Sequence, residues 1–379
     1  MRLIAFYLPQ FHPIPENDEW WGPGFTEWRN VVRARPLFPG HYQPHLPADL
    51  GFYDLRVPEV REAQAELAGA HGISGFCYYH YWFNGKRLLH RPFDEVLKTG
   101  RPRFPFCLCW ANENWTRRWD GLHGELLLQQ QYSPQDDQAH IDHLLPAFAD
   151  DRYIKIDGRP VFLVYRTHLL PDPVRTANLW RDRARAAGFG DLYLIRVAGY
   201  GPEVDPREIG FDAVVEFAPD WTFLPRRLYS SEEWDLIARV RNRLQQVGLM
   251  STAYRSHNVY SYRKLAAQMQ SRPPMPFKRF RCATPGWDKS SRRQRDALIF
   301  HGSTPGDYEA WLRTLARDTL ARFHGDERIL FINAWNEWAE GNHLEPDQRW
   351  GRAYLEATAR IAAAARLDAF RSASTRLLF

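Results

Sequence analysis

Residues 328–345 read RILFINAWNEWAEGNHLE, an apolar run that passes without a break into asparagine, tryptophan and glutamate and then meets Gly341. Arg328 to Trp335 has the near-continuous apolar content of a strand buried on both faces. Seven more runs of this kind precede it: Leu3 to Leu8, Ile73 to Tyr81, Phe104 to Trp110, Pro160 to Tyr165, Leu192 to Val197, Ala213 to Phe217 and Arg279 to Ala283. Between them lie stretches with helical periodicity and capping residues: Pro58 to Ala70, Gln135 to Phe148, Ala177 to Ala187, Ser231 to Val247 and Thr304 to Phe323. Strands that alternate with helices pair in parallel through crossovers, and eight such units predict a closed (β/α)8 barrel.

The 379 residues are read as one catalytic domain, 1–379, closed by a C-terminal helix at about residues 352–366. A typical barrel needs about 250 residues. The surplus falls in Pro9 to Val57, Ala111 to Tyr132 and Ala218 to about Tyr262. Each of these follows the C-terminal end of a strand, where barrel enzymes build their sites, and the TIM barrel is therefore expected to carry long loops on its C-terminal face.

Composition narrows the function classes. At 44% hydrophobic and 25% charged residues the chain is a folded protein and not a disordered one. Fifty Lys and Arg against 45 Asp and Glu give +5, but the basic residues are scattered, which argues against nucleic acid and leaves an acidic glycan or phospholipid-linked substrate open. The apolar run at Leu3 to Leu8 is too short for a signal peptide, and no run reaches the length of a membrane span, so a cytoplasmic protein is expected. Cys77, Cys107, Cys109 and Cys282 fall inside strand-like runs and read as buried thiols. Aromatic residues reach 15%, and many Trp and Tyr stand beside polar residues, where their flat faces and polar edges suit contact with a ligand.

The candidate chemistry concentrates in four words. In NAWNEWAEG, residues 333–341, Glu337 and Glu340 would face opposite sides of a regular strand, so the chain must turn near Trp338 if both are to serve one site. Two carboxyl groups on a Trp-lined floor supply what glycosidic cleavage needs, one group to protonate the leaving oxygen and one to act on sugar or water. Their repulsion would raise one pKa. Alternatively, Glu340 caps a helix or pairs with an arginine at the rim. In CWANENWTRRWDG, residues 109–121, Trp110, Asn112, Glu113 and Trp115 form a set of sugar partners, while Glu113 could instead pair with Arg117 or Arg118. The stretch from Tyr7 to Trp28 and the word YYHYWFN, residues 78–84, add Tyr7, His12, Trp28, Tyr79, His80 and Trp82. Glu216, Trp287, Trp335 and Asn336 complete the ring of candidate substrate-binding residues. No metal is expected, because His12 and His80 lack an HExxH or carboxylate partner, and His41 and His45, though spaced like ligands, flank Pro44. Dinucleotide, P-loop and α/β-hydrolase motifs are absent, as is Asp-x-Asp.

FYLPQFHP, GFTEW, WANENW and above all NAWNEWAEG resemble the glycoside hydrolase family 99-like proteins, which include the WbsX-type glycosyltransferases of bacterial polysaccharide gene clusters. The resemblance runs from Arg2 to about Tyr354. It implies a (β/α)8 barrel, no cofactor, and an activity like that of family 99 proper, whose characterised members are retaining endo-acting α-mannosidases and α-mannanases. It also implies that Glu337 falls on the carboxylate that deprotonates the sugar 2-hydroxyl, so that O2 closes a 1,2-anhydro sugar, and that Glu340 falls on the acid that protonates the leaving group. The expected partner is an oligosaccharide or polysaccharide. Three functions follow: a retaining α-glycosidase or transglycosidase acting on a surface polysaccharide, a sugar-nucleotide-dependent glycosyltransferase, or a non-catalytic glycan-binding barrel.

Overall fold

A computed structural model describes residues 1–117, 125–228, 239–240, 243–244 and 251–376, with side chains to residue 367. Eight strands form the central sheet: β1 (Arg2–Tyr7), β2 (Gly75–Phe83), β3 (Phe106–Trp110), β4 (Arg159–Val164), β5 (Tyr193–Val197), β6 (Ala213–Val215), β7 (Arg279–Ala283) and β8 (Ile329–Ile332). All neighbours are parallel, and the ring closes through β1, where Ile4 is in register with Gly75 on one side and with Phe331 on the other. This is a (β/α)8 barrel. Every residue of β3, β5, β7 and β8 is buried, as expected of strands covered by side chains within the barrel and by helices outside it.

Helices α1 (Pro58–Ala70), α2 (Arg91–Thr99), α3 (Pro134–Ala149), α4 (Pro173–Ala186), α5 (Tyr262–Gln270), α6 (Pro305–Arg322) and α7 (Ala353–Arg376) surround it. Three of them start with one device. Ser133, Asp172 and Thr304 each accept a backbone N–H three residues on, and a proline follows at the first helical position, where its missing N–H costs nothing. Most of the helix expected at Ser231 to Val247 lies outside the described residues. Before β7 the described residues form a short helical turn at Ala253–Ser256 and then α5, capped by Ser261.

The strand expected over Arg328 to Trp335 ends at Ile332. Beyond it the Asn333 N–H still reaches the Ala283 carbonyl (2.9 Å), while its side-chain amide donates to the Ala218 carbonyl (2.8 Å) and the Trp335 N–H donates to the Phe6 carbonyl (2.8 Å). The four cysteines are buried and unpaired. Among the described residues no helix is long and apolar enough to cross a membrane.

Close approach of backbone marks two glycines at the start of β2. A Cβ on Gly72 would lie 2.4 Å from the Ala362 Cβ of α7, and one on Gly75 would lie 2.7 Å from the Pro105 carbonyl oxygen and 2.8 Å from Ile154. Gly75→Ala forces these neighbours apart inside a packed ring and is expected to cost about 1–3 kcal/mol. Chemical denaturation of the purified variant measures this directly.

Candidate active site

The chain leaving β8 makes a tight loop. Asn336–Glu337 pairs antiparallel with Asn342–His343, a 3-10 turn spans Trp338–Glu340, and Gly341 closes it at φ 55°. The turn at Trp338 required for both carboxylates to share a site is therefore present. Two side chains fix the loop to the barrel. The Asn336 amide accepts the Leu8 N–H (2.8 Å) and donates to the Leu8 carbonyl (3.0 Å), copying a strand pairing at the exit of β1. Glu345 receives hydrogen bonds from Tyr53 (2.7 Å), Gln64 (2.6 Å) and the Trp338 indole (2.6 Å), and burial raises its pKa to about 7.

Glu337 and Glu340 converge on one arginine that the sequence reading did not single out. Arg292 donates through Nη2 to Glu337 (2.9 Å), through Nη1 to Glu340 (2.6 Å) and through Nε to Glu27 (3.2 Å). Lys289 lies 3.2 Å from Glu340. Three carboxyl groups thus face two cations, so one of the three is favoured to keep a proton. Burial foremost raises the Glu337 pKa to about 8; the Arg292 cation opposes the rise, and the Glu340 and Glu27 charges add to it. Burial alone would lower the pKa of Arg292, but the surrounding carboxylates outweigh it and hold the guanidinium charged.

Lys289, Arg292, Glu337 and Glu340 form part of the wall of an open cleft at the C-terminal mouth of the barrel. Its aromatic lining comes from strand β2 and four loops and includes Trp20, Trp21, Tyr79, Trp115, Trp221 and Trp287. Trp221 and Trp287 meet edge to face, and the Lys289 ammonium lies 5.1 and 5.0 Å from their ring centres. Glu113, which also lines the cleft, pairs with Arg166 (2.5 Å), while Arg117 pairs with Glu125 (3.4 Å); Arg118 lies outside the described residues, and Arg166 stacks 3.7 Å over Tyr200.

Of the residues expected to bind sugar, Tyr79, Glu113, Trp115 and Trp287 line this cleft. The others pack around it. Tyr7 points outward to Gln64 of α1 (2.7 Å). His12 is buried away from the cleft, and burial lowers its pKa to about 4. Trp28 donates to the Tyr53 carbonyl (2.8 Å) and Trp82 to Asp136 (2.8 Å). His80 stacks on His140 with ring nitrogens 3.0 Å apart. The Trp110 indole donates to the Trp82 carbonyl (3.2 Å). Asn112 accepts the Arg166 N–H (2.8 Å) and so orients the arginine that reaches Glu113. Glu216 is fully buried and bound by Arg281 (3.0 Å). Trp335 packs on Phe76, and Asn336 holds Leu8. Tyr7, His80, Trp82 and Trp110 lie on barrel strands, where alternate side chains face the surrounding helices.

The fold is shared with glycoside hydrolases. The endo-α-mannosidase of family 99 from Bacteroides thetaiotaomicron aligns over 98% of each chain with a TM-score of 0.56 at 15% identity. A solved glycoside hydrolase-like protein covers 95% of this chain and 93% of its own, with a TM-score of 0.56 at 16% identity. A family model described as Glycosyltransferase WbsX matches residues 3–358, and the chain belongs to that family. WxcX, an uncharacterised protein of Xanthomonas campestris pv. campestris, is 47% identical over 356 residues, 94% of this chain. The chain spans about half the length, 49%, of the curated relatives it matches.

Arg292→Met would leave three buried carboxyl groups without their shared donor and is expected to destabilise the protein by about 3–5 kcal/mol, read as a lower denaturation midpoint. Glu337 adds a pH signature. Its pKa rises from 4.5 to about 8 on folding, so across that window the folded chain holds a proton that the unfolded chain releases, and stability falls as pH rises. Unfolding curves for Glu337→Gln over the same window are expected to show a shallower decline than wild type.

Proposed function

We propose that this chain is a retaining α-glycosidase or transglycosidase acting on a bacterial surface polysaccharide or its precursor. The observation that carries the reading is the pair Glu337 and Glu340, both bound to Arg292 at the wall of an aromatic cleft. A binding protein needs the aromatic walls but gains nothing from two buried like-charged groups, which cost folding free energy.

In the proposed reaction Glu337 takes the proton from the 2-hydroxyl, O2 bonds to the anomeric carbon, and the bond to the leaving oxygen breaks as Glu340 protonates that oxygen. Glu340 then removes a proton from water, which opens the 1,2-anhydro sugar at the anomeric carbon while O2 recovers a proton from Glu337. The nucleophile is already part of the substrate, so the protein supplies orientation and proton transfers. Trp and Tyr faces hold the sugar rings, and Arg292 keeps both carboxyl groups aimed at one place. A base must be ionised, and Glu337 titrates at about 8. The proposed roles therefore put a rising limb of kcat/KM near that pH.

A second reading, transfer from a sugar nucleotide, is favoured by the description of the family. Wild type, Glu337→Gln and Glu340→Gln are to be incubated with oligosaccharides from bacterial surface polysaccharides and, separately, with those acceptors plus sugar nucleotides, with products followed by mass spectrometry. Shortened or rearranged glycans that vanish in Glu337→Gln support the glycosidase reading. Extension that depends on a sugar nucleotide would replace it with the transferase. A kcat/KM that falls where it should rise would exchange the roles of the two carboxyl groups.

A further inference from the structure

A second, small pocket opens beside the Gly341 end of the carboxylate loop and shares only Trp287 with the cleft. Three side chains converge in it: His45, from the long loop after β1, and His343 and Asp347, from the loop after β8. We propose that His45, His343 and Asp347 form a site for a divalent transition metal of the zinc type.

Proton counting carries the argument. His45 Nε2 faces the Tyr42 carbonyl (3.1 Å), His343 Nδ1 faces the Glu345 carbonyl (2.9 Å), and His45 Nδ1 faces His343 Nε2 (2.9 Å). Carbonyl oxygens only accept, and two neutral imidazoles bring two N–H groups to three contacts. With both protons on the carbonyls, the ring nitrogens 2.9 Å apart present lone pairs to each other. Moving either proton between the rings leaves a lone pair facing a carbonyl. A cation between His45 Nδ1 and His343 Nε2 satisfies every group.

Asp347 supplies the third ligand. Its Oδ1 accepts the N–H groups of Arg349 (3.0 Å) and Trp350 (2.6 Å), and its Oδ2 lies 3.9 Å from His343 Nε2. The three ligand atoms all fall within 4.8 Å of one another. Zinc bonds of ~2.0–2.1 Å in a tetrahedron space ligands by roughly 3.3–3.4 Å, and the separations of 2.9 and 3.9 Å lie on either side of that spacing. Both imidazoles donate their other N–H to a backbone carbonyl, the usual support of metal-bound histidine. Two nitrogens and one carboxylate suit zinc or cobalt better than magnesium or calcium, which take oxygen ligands. Water from the pocket would complete the shell.

The metal would act by position and not in the chemistry. The two loops already exchange backbone bonds, Ala48 N–H to the Pro346 carbonyl (2.9 Å) and Gln348 N–H to the Leu46 carbonyl (2.9 Å). His343 is paired with Asn336, one residue before Glu337. A metal here would pin the base of the loop that carries both glutamates, whichever reaction they perform.

The test uses the untagged full chain, stripped with chelator and dialysed against zinc(II) or cobalt(II) alone. Elemental analysis is expected to find about one zinc per chain, and the cobalt form to show visible d–d bands of a low-coordinate nitrogen and oxygen site. Both signals should be lost in His45→Gln and His343→Gln, and zinc should raise the denaturation midpoint of wild type but of neither variant. His301→Ala, in the same pocket but outside the triad, should keep the metal. A wild type that takes up no stoichiometric zinc or cobalt overturns the proposal and leaves the two imidazoles sharing a proton. Folded glutamine variants that bind zinc as wild type does overturn it equally.

Discussion

The guanidinium of Arg292 is bound by three carboxyl groups from two separate parts of the chain: Glu27 in the loop after β1, and Glu337 and Glu340 in the turn after β8. Arg292 itself stands on the connection after β7. Loops from β1, β7 and β8 are neighbours on the barrel ring, and this one cation ties them together at the mouth. An arginine suits the task because its planar fork offers donors in three directions and keeps its charge when buried. Burial foremost, with the Glu340 and Glu27 charges beside it, raises the pKa of Glu337. One interaction thus shapes the cleft and tunes its carboxyl groups.

Much of the fold was legible in the sequence because a parallel barrel writes itself in a repeating code. Strands buried on both faces need unbroken apolar runs, and the helices between them need caps, so all eight strands and the start of α6 at Thr304 stand out as text. The ends of strands were harder to place. Nothing in Phe331 to Trp335 signals that pairing stops at Ile332, because the apolar content continues while the Asn333 side chain turns to Ala218 and the Trp335 N–H to Phe6. Glu216 was read at the mouth for a similar reason; its place is decided by Arg281, on the adjacent strand β7, which buries it as an ion pair.

The candidate site was half legible. Glu337 and Glu340 stood out by spacing and company. Trp115 and Trp287 could be found because each follows a strand. Arg292 could not, since it lies 45 residues before Glu337 in a run of ordinary basic and polar residues, SSRRQR. Glu27 lay inside a word already noticed, GFTEW, but only three-dimensional proximity to Arg292 gives it a part. Tyr7, Trp110 and Asn336 belong to the same words and turn out to hold the scaffold. One motif can hold both the residues that aim a site and those that form its surface, and spacing does not separate the two.

The pairing of Asn336 with Leu8 joins positions 328 residues apart, and it has a consequence for how the protein is made. A chain still emerging during synthesis, with seven strands formed, has β1 and β7 as open sheet edges and lacks both glutamates. Loop-closure entropy must be overcome for the longest separation in the barrel before those edges are covered. Barrel closure and assembly of the carboxylate pair are then the same event, so partly made chains expose unpaired edges but carry no complete site.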